Sequence, residues 1–174
     1  MVRSGLDPAA REEMIRRAWY AHDARWFAAV AAECGIEVAN RLNRAAVRAV
    51  GQVEAGRLAR ALGMAPTQDI DAFLDLLRAG IGLYVAPPLM QVSIGKVDAR
   101  SYEVAFDECF VSTNVEKAGI SAVYECAVWD RLQGYHEALG QSLAEGQLPA
   151  TTCVKAQGRE CRRVLRIEES GRGG

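Results

Sequence analysis

The chain has 174 residues, enough for one well-cored domain; half are hydrophobic, a quarter are charged, and the formal net charge is −1. That balance supplies no basic face for DNA, RNA or an anionic membrane, and no apolar run approaches the roughly 20 residues that span a bilayer. The stretch Met1 to Arg17 is polar and charged, without a signal-peptide core, so the expectation is a cytoplasmic protein.

The first half reads as helix. Asp7-Pro8 is a start signal, a capping side chain followed by proline in the first turn. The helix should run to about Glu33 and stop at Gly35. Its apolar stripe is read as Ile15, Trp19, His22, Trp26 and Val30, which points the His22 imidazole at the core. A second helix is expected from about Ile36 to Leu62, with Asn43, Val47, Val50, Glu54, Leu58 and Ala61 on one stripe and Gly63 ending it. The tight turn at Gly35 should fold the two into an antiparallel hairpin. Thr67 is the expected cap of a third, shorter helix carrying Ile70, Phe73, Leu74 and Leu77.

The period changes after Ala86-Pro87-Pro88. Met90, Val92 and Ile94 alternate with polar or small residues, as do Tyr102, Val104 and Phe106, which is the period of a strand. A turn is expected over Gly95 to Arg100. A further long helix is expected over about Ser121 to Gln141, with Val128, Leu132, Tyr135 and Leu139 inward and His136 on its surface. Thr151 to Ala156 and Arg159 to Ile167 read as a hairpin around Gln157-Gly158. The sum is one α+β domain over residues 1–169: an N-terminal antiparallel helical hairpin packed on a small antiparallel sheet of about four strands, with one further long helix. The tail 170–174 is expected to be disordered.

Polar groups on core stripes mark a candidate site, because a buried polar group costs free energy unless paired. His22 is read as a metal ligand or general base, and Asp23, about 100° further round the helix, as bordering the same cavity. Glu54, between Val50 and Leu58, must be ion-paired, protonated or metal-bound; Arg57 and Arg25 are the expected ionic partners. Trp19, Trp26 and Phe27 supply an aromatic lining for a substrate, with Arg57 beside them. The five cysteines form no CxxC pair and are odd in number, which argues against a disulfide framework. Cys126, near the start of the expected fourth helix, is read as a nucleophile, and Cys34 as a small buried hydrophobe. His22, Glu54, Cys109 and Cys126 together form a mixed nitrogen, oxygen and sulfur set that suits zinc.

The stretch His22-Asp23-x-x-Trp26-Phe27, then Val53-Glu54-Ala55-x-Arg57 and Ala61-Leu62-Gly63, resembles a bacterial family grouped with the L-2-amino-thiazoline-4-carboxylic acid hydrolases. Cys109, Lys117-Ala118-Gly119, Cys126, Cys153 and Cys161 extend the resemblance through the second half, although the Cys-Pro-Pro turn often found in that family's final hairpin is absent. The last segment is also similar to the small-molecule-binding domains related to bacteriochlorophyll vinyl reductase. The resemblance implies a ligand cavity between helices and sheet, ringed by His22, Asp23, Glu54 and cysteines. The expected function is a hydrolase opening a cyclic C–N or C=N bond, with His22 or a metal activating water, Glu54 or Asp23 as acid, and Cys126 as the alternative nucleophile. The rival expectation is a non-catalytic small-molecule sensor or carrier. The partner in either case is a small molecule, with no nucleic acid and no membrane, and a homodimer is the assembly considered.

Overall fold

A computed structural model describes residues 5–65, 69–146 and 152–168. The architecture is α+β: among the described residues, five α-helices and a three-stranded antiparallel sheet. Contacts divide the chain into two compact units, Met1–Ala39 and Asn40–Gly174.

The first unit is built on α1 (Pro8–Cys34). Asp7 caps it as expected, its side chain accepting from the Ala10 N–H at 2.9 Å. Gly35 ends it at φ 85°, a conformation that glycine adopts without Cβ strain, and its N–H bonds back to the Ala31 carbonyl. The helix α2 (Ile36–Ala61) starts at once and crosses into the second unit.

In the second unit, Asp69 caps α3 (Ile70–Tyr84) by accepting from the Asp71 N–H. The cap expected at Thr67 lies outside the described residues. Ile70, Phe73, Leu74 and Leu77 are buried, as their spacing implies. The strands β1 (Met90–Lys96) and β2 (Ser101–Cys109) pair antiparallel, with a bulge where Gln91 faces Glu108 and Val92 faces Phe106. The central strand is β2; β3 (Arg162–Arg166) pairs on its other side.

Between β2 and β3 lie α4 (Phe110–Lys117) and α5 (Val128–Ala138). The Lys117-Ala118-Gly119 motif is the C-terminus of α4. Gly119 takes φ 69°, its N–H bonds to the Glu116 carbonyl, and the Ile120 N–H bonds to Val115, which closes a Schellman stop. The helix expected from Ser121 begins only at Val128, but Leu132, Tyr135 and Leu139 are buried as expected.

The expected final hairpin does not form. Lys155–Gln157 is a single 3₁₀ turn closed by Gly158 at φ 73°, and the strand that follows pairs with β2. Among the described residues, the segment before the turn forms the isolated bridge of Thr152 with Glu125, and the sheet has three strands where about four were expected. The tail 170–174 lies outside the described residues. No helix among the described residues is long and apolar enough to cross a membrane.

Candidate functional site

The site begins with two glycines. A Cβ on Gly51 of α2 would collide with the Arg131 carbonyl oxygen, and one on Gly134 of α5 would collide with the Arg48 carbonyl oxygen. The helices therefore cross backbone to backbone, which only glycine permits on both sides. Polar pairs fix the crossing along its length. Arg44 forks onto Asp130 at 2.9 and 3.2 Å and reaches Glu125 at 3.1 Å, and Arg48 and Gln52 both bond Glu137.

This crossing buries Glu54, which is 5% exposed, one turn beyond Gly51. Arg131 donates through Nε to Oε2 at 2.8 Å and through Nη2 to Oε1 at 2.5 Å. The Tyr135 hydroxyl donates to Oε2 at 3.4 Å. Burial, then the Glu54 charge, raise the pKa of both Tyr135 and Tyr84, so both phenols stay protonated. The Arg131 guanidinium carbon also stands 5.9 Å from the centre of the Tyr84 ring.

Arg131 and Tyr135 are the polar wall of an otherwise apolar pocket. Its other lining residues come from α3 (Leu77, Gly80, Ile81), from the facing side of the sheet (Met90, Val92, Val104, Phe106), and from Val85, Val128 and Leu132. The cavity volume is about 70 Å³. A second, polar hollow of about 280 Å³ is lined by Gln133, His136, Glu137 and Gln141, with residues 142–146.

Four thiols converge at the end of β2. Cys109 closes that strand, and the Cys161 carbonyl accepts from the Phe106 N–H at 2.9 Å, setting Cys161 on the same strand's flank. The antiparallel bridge of Glu125 with Thr152 sets their chain neighbours Cys126 and Cys153 diagonally across one face of it. The neighbouring Cys126 thiol and the N–H groups of Ala156 and Lys155 hold Cys153 down to about 6, whereas the same neighbour and burial hold Cys126 well above an ordinary thiol. Burial pushes Cys161 up to about 11 and raises Cys109. Among the described residues no group of three or more His, Cys, Asp and Glu side chains is arranged to hold a metal ion.

A family of unknown function, DUF6125, matches residues 11–129, more than half of the chain. This chain belongs to the DUF6125 family. No curated protein and no solved structure matches it. The segment matched to DUF6125 contains Glu54, Cys109 and Cys126, and ends before Arg131, Tyr135 and Cys153.

The residues read from the sequence fare unequally. Glu54 is buried as expected, but its partner is Arg131 and neither Arg57 nor Arg25. Both carboxylate oxygens accept from Arg131. His22 is exposed, because the buried face of α1 carries Tyr20 and Phe27, one residue along from the expected stripe. Trp19 and Trp26 are 38% and 37% exposed, and Asp23 and Arg57 are exposed as well. Cys34, expected to be buried, is exposed. Cys126 and Cys109 do stand near each other, but Cys153 is the sulfur disposed to be a thiolate.

His136, expected on a surface, is 1% exposed. Its ring stacks on Phe73 at 4.2 Å between centroids, Nε2 meets the Tyr102 hydroxyl at 2.5 Å, and Nδ1 meets Gln141 Oε1 at 2.9 Å. Burial lowers its pKa to about 4, so it is neutral. Its signal in the sequence is the spacing Leu132, Tyr135, His136, Leu139, a broad core stripe.

Proposed function

We propose that this protein binds a compact, uncharged, mainly apolar small molecule between α3, α5 and the β1–β2 face. The observation that carries the reading is the apolar pocket ending on Arg131 and Tyr135, with Arg131 neutralised by buried Glu54. Pockets of this kind, apolar with a few fixed polar groups, are the usual form of a ligand site. The volume of about 70 Å³ is roughly half that of a dry cavity that accepts benzene, so it takes a short alkyl chain or one edge of a ring. Because Glu54 already balances Arg131, the wall gains little from an anionic ligand. Thermal shift with 1-hexanol and hexanoate tests this: the alcohol should stabilise the protein more than the carboxylate of equal chain length. Equal shifts, or a larger shift with hexanoate, would contradict it.

The thiol pair favours a second reading, the ring-opening hydrolase that the sequence resemblance implies. In that reading the nucleophile is Cys153 and not Cys126, since its hydrogen bonds favour the thiolate. Release of a ring-opened product from a 2-aminothiazoline substrate, lost in Cys153→Ala, is the test. The site of action we propose is the cytoplasm, where the five free cysteines stay reduced.

A further inference from the structure

Resting on the pocket reading above, we propose that the ligand is a short neutral ketone whose carbonyl oxygen accepts from the Tyr135 hydroxyl. Tyr135 is buried, and its hydroxyl is held on two sides. On one side is Gly80 of α3, which also lines the pocket. A Cβ there would stand 2.5 Å from the hydroxyl oxygen, so the phenol fills the space that the missing side chain leaves. On the other side is Glu54 Oε2, at 3.4 Å. An O–H···O bond is ordinarily about 2.7–2.8 Å long. Oε2 also takes the Arg131 Nε–H at 2.8 Å. The hydroxyl is thus a buried donor on a stretched bond, and its acceptor is already served. A donor in that position gains from a closer acceptor.

The chemistry of the wall selects the ligand's polar atom. Arg131 and Tyr135 are the lining residues with polar side chains. A guanidinium has donors and no acceptor, and both Glu54 oxygens accept from it. A ligand with only donors, such as an ammonium, would find no acceptor on this wall but the phenol oxygen, and would stand beside the Arg131 charge. A carboxylate would lose its hydration for a cation that Glu54 already balances. A carbonyl oxygen has two lone pairs, no proton and no net charge. It takes the Tyr135 hydrogen while the alkyl groups lie on Leu77, Val104 and Leu132. Only the phenol hydrogen turns, from Glu54 Oε2 to the ligand, and Glu54 keeps both of its bonds to Arg131. Tyr135 is in this account the specificity-determining residue of the pocket, and Gly80 the residue that makes room for it.

The test titrates the full chain with 2-pentanone and with 2-methyl-1-pentene, which has the same shape with a methylene group in place of the oxygen. Affinities are read by NMR in the natural chain and in Tyr135→Phe. The ratio of ketone to alkene affinity should fall about two- to tenfold in the variant, the worth of one hydrogen bond, while the alkene still binds. The infrared carbonyl stretch of the bound ketone should lie below its value in hexane and return toward that value in Tyr135→Phe. Saturable alkene binding with the same affinity ratio in both proteins, or a stretch that the substitution does not move, overturns the role of Tyr135 and leaves the apolar pocket standing. Saturation by neither compound overturns the pocket reading and the ketone with it. Circular dichroism shows whether Tyr135→Phe folds. If it does not, a carbon-13 label at tyrosine Cζ in the natural chain decides: the Tyr135 resonance should move with the ketone and stay with the alkene, and movement with both or with neither overturns the proposal.

Discussion

The carboxylate of Glu54 and the guanidinium of Arg131 face each other in a two-point hydrogen-bonded pair, at 2.8 and 2.5 Å, across 77 residues of chain. Such a pair is asymmetric in its energetics. Breaking it strands a buried charge, whereas replacing both partners by apolar groups removes the desolvation cost along with the attraction. Arg131→Met should therefore cost about 3–5 kcal/mol of stability, read from the urea midpoint. The double variant Glu54→Leu with Arg131→Met should recover most of that loss. A single variant within about 1 kcal/mol of the natural chain would show that the pair is not buried as described.

The glycine crossing makes an independent prediction. A methyl on Gly51 or Gly134 meets a backbone carbonyl, which cannot turn aside as a side chain can. Each alanine substitution should cost about 1–3 kcal/mol or more, because the helices must part. Gly56, on the same helix as Gly51, is the control, since a methyl there would meet nothing within 4 Å. At that position alanine should stabilise by about 0.5–1 kcal/mol through helix propensity alone. Equal effects at Gly51 and Gly56 in chemical denaturation would refute the close crossing.

His136 predicts how stability depends on pH. Its folded pKa, about 4, lies below the ordinary value of 6.5, so the unfolded chain takes up its proton first. The stabilisation is full above about pH 6.5, declines as pH falls, and is gone below about pH 4. The difference is on the order of 3 kcal/mol. His136→Gln should be less stable at pH 7 and should lose less on going from pH 7 to pH 4. Parallel curves for the two proteins in urea unfolding across that range would contradict a buried neutral imidazole.

Much of the fold was legible because it rests on local periodicity and punctuation. Asp7-Pro8, Gly35 and the alternation of Met90, Val92 and Ile94 mark α1 and β1 with no knowledge of what packs on them. Glu54 was legible for the same reason, standing between Val50 and Leu58. Its partner was not, since nothing local ties it to a residue on α5. The face of α1 failed for a different reason. Trp19 and Trp26 define one stripe, and Tyr20 with Phe27 define another only about 100° away. Both satisfy the helical period, and tertiary packing, not hydrophobicity, chooses between them. Gln157-Gly158 marks a chain reversal, but a reversal does not say which strand its flanks pair with, and the expected hairpin there is not formed. The outcome is a 3₁₀ turn and a β2–β3 pair.

The claim that matters most is that the pocket between α3, α5 and the sheet takes a small apolar ligand. Methyl-resolved NMR during a titration with 1-hexanol tests it most directly. The account predicts saturable shifts concentrated on the methyls of Leu77, Ile81, Val104 and Leu132, and their loss in a folded Val104→Phe variant that fills the cavity. Shifts spread over the surface without saturation, or a Val104→Phe protein that binds as the natural chain does, would contradict it.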